Sequence, residues 1–119
     1  MTRLGWPGVF LAGAFAAALP VQAEDISIKV PAGTKVETVE ARYECGDQPV
    51  SAQYINAGSV SLAVLTMGDE FVVASNVIAG SGARYAGGQY VWWTKGPEAT
   101  LYDVRKGEAD PGIPCKPSQ

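Results

Sequence analysis

From Thr38 to Glu44 the chain alternates polar and apolar residues without a break: Val39, Ala41, Tyr43 and Cys45 share one face, and Thr38, Glu40, Arg42 and Glu44 share the other. Period two with polar residues outward marks a half-buried strand. The pattern returns in PVSAQYIN, where Val50, Ala52 and Tyr54 fall together, and in SVSLAVLT, where Val60, Leu62 and Val64 are expected to do the same. NAGS, MGDE and KGPE supply turn chemistry between these runs and the later FVVAS, QYVWWT and ATLYDV, which are rich in aromatic and β-branched residues. Strands at such short intervals, with no sustained helical period, predict an antiparallel sandwich or a small barrel. PEATLYDVRKGE reads as a strand, although Pro97 also suits the first turn of a helix. The opening EDISIKVPAGTKVE predicts a short edge strand followed by a loop. The proline-rich GEADPGIPCKPSQ predicts an irregular tail held to the body by Cys115. No internal repeat or linker interrupts the chain.

Residues 1–23 stand apart. Arg3 is followed by an apolar and small-residue run from Val9 to Leu19, and PVQA ends in the small residues that signal peptidase requires. The expectation is a cleaved secretory signal peptide, since the run is too short to span a hydrocarbon core that needs about 20 apolar residues. The remaining Glu24–Gln119 is sized for a single domain. A domain this small buries only about 60 to 65% of its unfolded surface, so a covalent constraint matters. Export brings an oxidising compartment, and Cys45 and Cys115 are the only two cysteines; a disulfide between them is expected.

Charge and missing residues narrow the function. Without Arg3 the exported part has eight basic against twelve acidic residues, a net charge of −4. Nucleic acid, which needs a basic stripe, is not an expected partner, whereas a basic protein is. The sequence has no histidine, so the usual general base and the commonest zinc ligand are both missing. Neither an enzyme nor a cofactor or metal site is expected. Ser81 and Lys95 lack the S-x-x-K spacing of a serine–lysine hydrolase. GSGARYAGG lacks the lysine and helix start of a phosphate loop. Asp69 and Glu70 read as turn residues, and Glu37, Glu40 and Glu44 as a solvated strand face.

The stretch SGARYAGGQYVWWTKG, residues 81–96, concentrates Tyr85, Tyr90, Trp92 and Trp93 beside Ser81 and Lys95. A two-residue turn at Gly87–Gly88 would place Tyr85 opposite Tyr90 and Ser81 opposite Thr94, with Lys95 diagonal to Ser81. Trp92 and Trp93 are adjacent, so one ring points inward and the other outward. A hairpin stiffened by Trp92, Tyr90 and Tyr85 holds its loop at a fixed angle, and a preorganised loop binds with less entropic loss.

SGARY, followed by WWTKG and EATL, resembles the paired motifs of the bacterial membrane-bound and periplasmic inhibitors of c-type lysozyme; the likeness runs from ARYEC at residue 41 to PCKP near 117. The resemblance implies an all-β, eight-stranded antiparallel β-barrel with a Cys45–Cys115 disulfide. It implies a c-type lysozyme as partner, with Ser81 and Lys95 entering the enzyme's active-site cleft and Tyr85 and Thr94 supporting them. Arg84 lies inside the motif without an assigned role. No lipid-attachment cysteine stands near the expected cleavage site, so the resemblance points to the soluble periplasmic form. A different reading is a small barrel that binds an apolar or glycan ligand on its tryptophans.

Overall fold

The computed structural model describes residues 19–118. Most of the expected signal peptide therefore lies outside the described residues. Eight strands follow in chain order: β1 (Val36–Cys45), β2 (Gln48–Ala57), β3 (Val60–Met67), β4 (Glu70–Val77), β5 (Ala83–Gly87), β6 (Tyr90–Lys95), β7 (Glu98–Asp103) and β8 (Ile113–Pro117). Each pairs antiparallel with the next, and β8 returns to β1, so the sheet is a closed barrel. Closure decides between the two expected architectures and removes most of the exposed sheet edge.

The barrel interior is packed with side chains. Trp92 and Leu65 are each 0% exposed, and Val50, Ala52, Ala63, Met67, Ala74 and Leu101 complete the core around them. Tyr43 meets Trp92 edge to face at 5.1 Å between ring centroids. The polar atoms of this aromatic group are paired. Trp92 Nε1 donates to the Tyr54 hydroxyl at 2.9 Å, and the Tyr54 and Tyr43 hydroxyls lie 2.8 Å apart. Burial, reinforced by the Tyr43 hydroxyl, raises the Tyr54 pKa well above the ordinary phenol value.

The inward and outward faces follow the alternation with one reversal. Val50 and Ala52 of β2 and Tyr43 and Cys45 of β1 point inward as expected, whereas Val39 is exposed, because β8 pairs with β1 only from Tyr43 to Cys45 and the first half of β1 runs past it. In β3 the expected face is the wrong one. Ala63, Leu65 and Met67 are buried, whereas Val60 is exposed and Leu62 and Val64 are only half-buried. This strand is apolar on both sides, so alternation alone cannot choose. The pairing of Leu65 with inward-facing Ala52 makes the choice.

Both ends of the domain also differ from expectation. Residues 19–35 contain no strand; the Thr34 N–H donates to the Pro31 carbonyl at 3.1 Å and turns the chain into β1. The tail expected to be irregular instead contributes β8, which closes the barrel. Cys115 lies directly opposite Cys45 and is bonded to it, and Ala99 of β7 flanks it on the other side. Here the neighbouring strands and the disulfide outweigh the low strand preference of Pro114 and Pro117.

The segment PEATLYDVRKGE is a strand as read, ending in one 3₁₀ turn at Val104–Lys106. Asp103 caps that turn by accepting from the Arg105 N–H at 3.0 Å and from its guanidinium at 2.9 Å. The guanidinium holds the Asp103 carboxyl down to about 2. Among the described residues no helix is long and apolar enough to cross a membrane.

Candidate functional site

The β4–β5 loop, residues 78–82, and the β6–β7 turn at Gly96–Pro97 emerge from the same end of the barrel, because β5 starts and β6 ends there. Ser81 lies on the loop and Lys95 at the last position of β6, both exposed.

Their connection runs through Trp93. The adjacent tryptophans divide as expected: Trp92 fills the core and Trp93 lies half-buried on the outer face. Trp93 Nε1 donates to the Ser81 carbonyl at 2.8 Å, and Lys95 Nζ lies 5.7 Å from the centroid of the same ring. One indole thus fixes the backbone of the loop with its N–H and attracts the ammonium with its π face. Ser81 and Lys95 are gathered by a shared side chain.

The hairpin register differs from the expected one by two residues. Gly87 pairs with Tyr90, Tyr85 with Trp92 and Ala83 with Thr94, so the turn is Gly88–Gln89. Ser81 lies outside the ladder and is not opposite Thr94. The reason is the packing of Gly87 on β4. A Cβ there would overlap the Val73 carbonyl oxygen and lie 2.9 Å from the Ala74 Cα, so Gly87 is spent on a close strand approach. Gly88, with φ of 57°, makes the left-handed turn instead. A two-residue shift leaves every side chain on its original face.

Tyr85 and Thr94 have different supporting roles. Tyr85 is buried against Tyr54 at 5.8 Å between ring centroids, and burial, with Tyr43 nearby, raises its pKa. It braces β5 from inside and cannot face a partner. Thr94 Oγ1 donates to the Ala83 carbonyl at 3.4 Å across the β5–β6 pair. Tyr90, expected as a third anchor, reaches sideways to Glu70 with its hydroxyl at 2.9 Å. Arg84 pairs with Trp93 across the strands and lies 5.7 Å from the Tyr102 ring centroid.

Two contributors escaped the sequence reading. Trp93 was credited with covering an edge, whereas its N–H carries the loop. Gly82 has φ of 67°, and a Cβ there would overlap the Thr94 carbonyl oxygen and lie 2.9 Å from Trp93 Nε1. The Ser-Gly pair ahead of an outward tryptophan was the available signal. Among the described residues no three histidine, cysteine, aspartate or glutamate side chains converge on a metal position.

Such an arrangement defines a presenting scaffold: a rigid, disulfide-tied barrel whose polar chemistry is displayed on loops at one rim. The family model described as membrane-bound lysozyme-inhibitor of c-type lysozyme, MliC, matches residues 43–110. The chain belongs to that family. A Pseudomonas aeruginosa protein named membrane-bound lysozyme inhibitor of C-type lysozyme is 47% identical over 92 residues, covering 75% of this chain and 72% of that protein. A Cupriavidus necator protein of the same name is 41% identical over 98 residues, covering 81% and 74%. An Escherichia coli namesake is 32% identical over 68 residues, covering 57% and 61%. The crystal structure of Pseudomonas aeruginosa MliC in complex with hen egg white lysozyme aligns with a TM-score of 0.70 at 41% identity, covering 82% of this chain and 99% of that one.

Proposed function

We propose that this protein inhibits c-type lysozyme without being an enzyme itself, by inserting the rim that carries Ser81 and Lys95 into the lysozyme's active-site cleft. The observation that carries the reading is the clustering of both residues around Trp93. A relative of the same fold is known in complex with hen egg white lysozyme.

The chemistry suits the target. A retaining lysozyme works with one protonated and one ionised carboxyl flanking the scissile bond. A serine hydroxyl both donates and accepts, so it can pair with either form, and a lysine ammonium supplies a compact charge to the ionised one. The loop is held before binding by the Trp93–Ser81 hydrogen bond, so little freedom is lost on insertion. The net charge of −4 on residues 24–119 favours encounter with a basic enzyme. The rival binding-module reading is weakened by the interior, which Trp92, Leu65 and their neighbours fill.

Purified protein should slow the clearing of a cell-wall suspension by hen egg white lysozyme. Replacing both Ser81 and Lys95 by alanine should abolish that effect with the circular dichroism unchanged. Full inhibition by the double variant would refute the site, and no inhibition by the unaltered protein would refute the reading. The family name places its members at a membrane, and we assign this chain to the periplasm as a soluble, exported protein. Osmotic-shock fractionation of producing cells tests that assignment, and recovery in the membrane pellet would overturn it.

A further inference from the structure

The loop that carries Ser81 also displays an isoleucine. Ile78 is 100% exposed, whereas most of the other exposed large apolar residues lie on strand faces or in the segment before β1. Single exposed apolar residues are ordinary on a protein surface, so exposure alone says little. Position adds the rest.

Ile78 is three residues from Ser81 on a loop whose far end is fixed by the Trp93–Ser81 hydrogen bond and by the close approach of Gly82 to Thr94. Ala79 and Gly80, the residues between, are too small to shield it. Together with Ser81, Arg84 and Trp93, these three loop residues line a shallow open recess on the outer side of the rim. An apolar side chain held at the tip of a constrained loop, next to a polar pair, matches the usual make-up of a binding anchor. Polar groups there set orientation, and a neighbouring apolar group desolvates to supply affinity.

We infer that Ile78 is a second anchor of the inserted rim, packing against an apolar lip of the lysozyme cleft while Ser81 and Lys95 face its carboxyls. The inference rests on the inhibitor reading above. It separates two tasks on one loop: Lys95 contributes charge, which salt weakens, and Ile78 contributes apolar burial, which salt does not weaken.

The test is binding to hen egg white lysozyme by surface plasmon resonance, comparing the unaltered protein with Ile78→Ser, Ile78→Asp, Lys95→Ala and the control Phe71→Ser. Phe71 is 64% exposed on the outer face of β4, at the strand end remote from the loop. Burial of an isoleucine side chain predicts about ten- to hundredfold weaker binding for Ile78→Ser, expressed as faster dissociation. Its salt dependence should equal that of the unaltered protein, whereas Lys95→Ala should flatten it. Phe71→Ser should stay within about twofold, the size of a neutral surface change. An Ile78→Ser variant that binds within about twofold of the unaltered protein, with its thermal transition preserved, overturns the Ile78 assignment alone. Failure of the unaltered protein to bind overturns the inhibitor reading and this inference together.

Discussion

Gly82→Ala is the sharpest perturbation the structure offers, because a single methyl group strikes the loop support without touching Ser81 or Lys95. The backbone at Gly82 is left-handed, with φ of 67°, a conformation that costs an L-residue roughly 1–2 kcal/mol. The added Cβ would also overlap the Thr94 carbonyl oxygen and lie 2.9 Å from Trp93 Nε1. Thr94 sits in the middle of the barrel wall, paired with Ala83 on one side and Ala99 on the other. The wall cannot yield, so the loop must move. Its movement breaks the Trp93–Ser81 hydrogen bond, worth about 1 kcal/mol net. Together these effects predict a loss of about 2–3 kcal/mol in urea unfolding. Gly88→Ala is the matched control. Gly88 has nearly the same φ, 57°, but nothing within 4 Å of its would-be Cβ, so it should lose only the roughly 1–2 kcal/mol of left-handed strain. In the cell-wall clearing assay Gly82→Ala should be at least about tenfold less potent, because a displaced loop forfeits its preorganisation, while Gly88→Ala inhibits normally. Equal unfolding midpoints and equal potency for the two variants would show that the close approach at Gly82 does not hold the loop.

Three further outcomes follow from the core and the disulfide. Tyr54→Phe removes the acceptor of Trp92 Nε1 and the partner of the Tyr43 hydroxyl, and should cost about 1–3 kcal/mol in urea unfolding at neutral pH. Tyr54 and Tyr85 have folded pKa values raised above the ordinary phenol value of 10.0, chiefly by burial, so the fold favours their neutral forms. Their contribution to stability is complete below that value and is lost as pH climbs above it; urea midpoints should fall on the alkaline side, less steeply in Tyr54→Phe. Reducing Cys45–Cys115, which spans 70 residues, should lower stability by about 4 kcal/mol, measured as the shift in urea midpoint with and without reductant.

Much of the barrel was legible because side-chain alternation is a local property. Tyr43, Cys45, Val50 and Ala52 are inward in the structure as their spacing requires, and the tryptophan pair divides between core and surface. Legibility failed where the deciding partner is distant in sequence. β3 is apolar on both faces, so only its register with β2 selects Leu65 over Val64. β8 is built on two prolines and becomes a strand because Cys115 must meet Cys45 beside Ala99. The site was partly legible for the same reason. Ser81 and Lys95 were singled out from their motifs, but the agent that joins them was not.

The hairpin shows why an incorrect register left the site residues intact. Choosing Gly87–Gly88 as the turn treats the two glycines as equivalent, and in isolation they are. The Val73 carbonyl of β4 makes them different, since only a residue without a Cβ can lie against it. That contact moves the turn on to Gly88–Gln89 and re-pairs Tyr85 from Tyr90 to Trp92. A shift of two preserves faces, so Tyr85 and Trp92 still point inward and Trp93 and Lys95 still point outward. A shift of one would have sent Trp93 into the core, with its N–H unable to reach the Ser81 carbonyl. The loop is therefore governed by two glycines at opposite ends of β5: Gly87 sets which tryptophan faces out, and Gly82 lets the loop close down upon it.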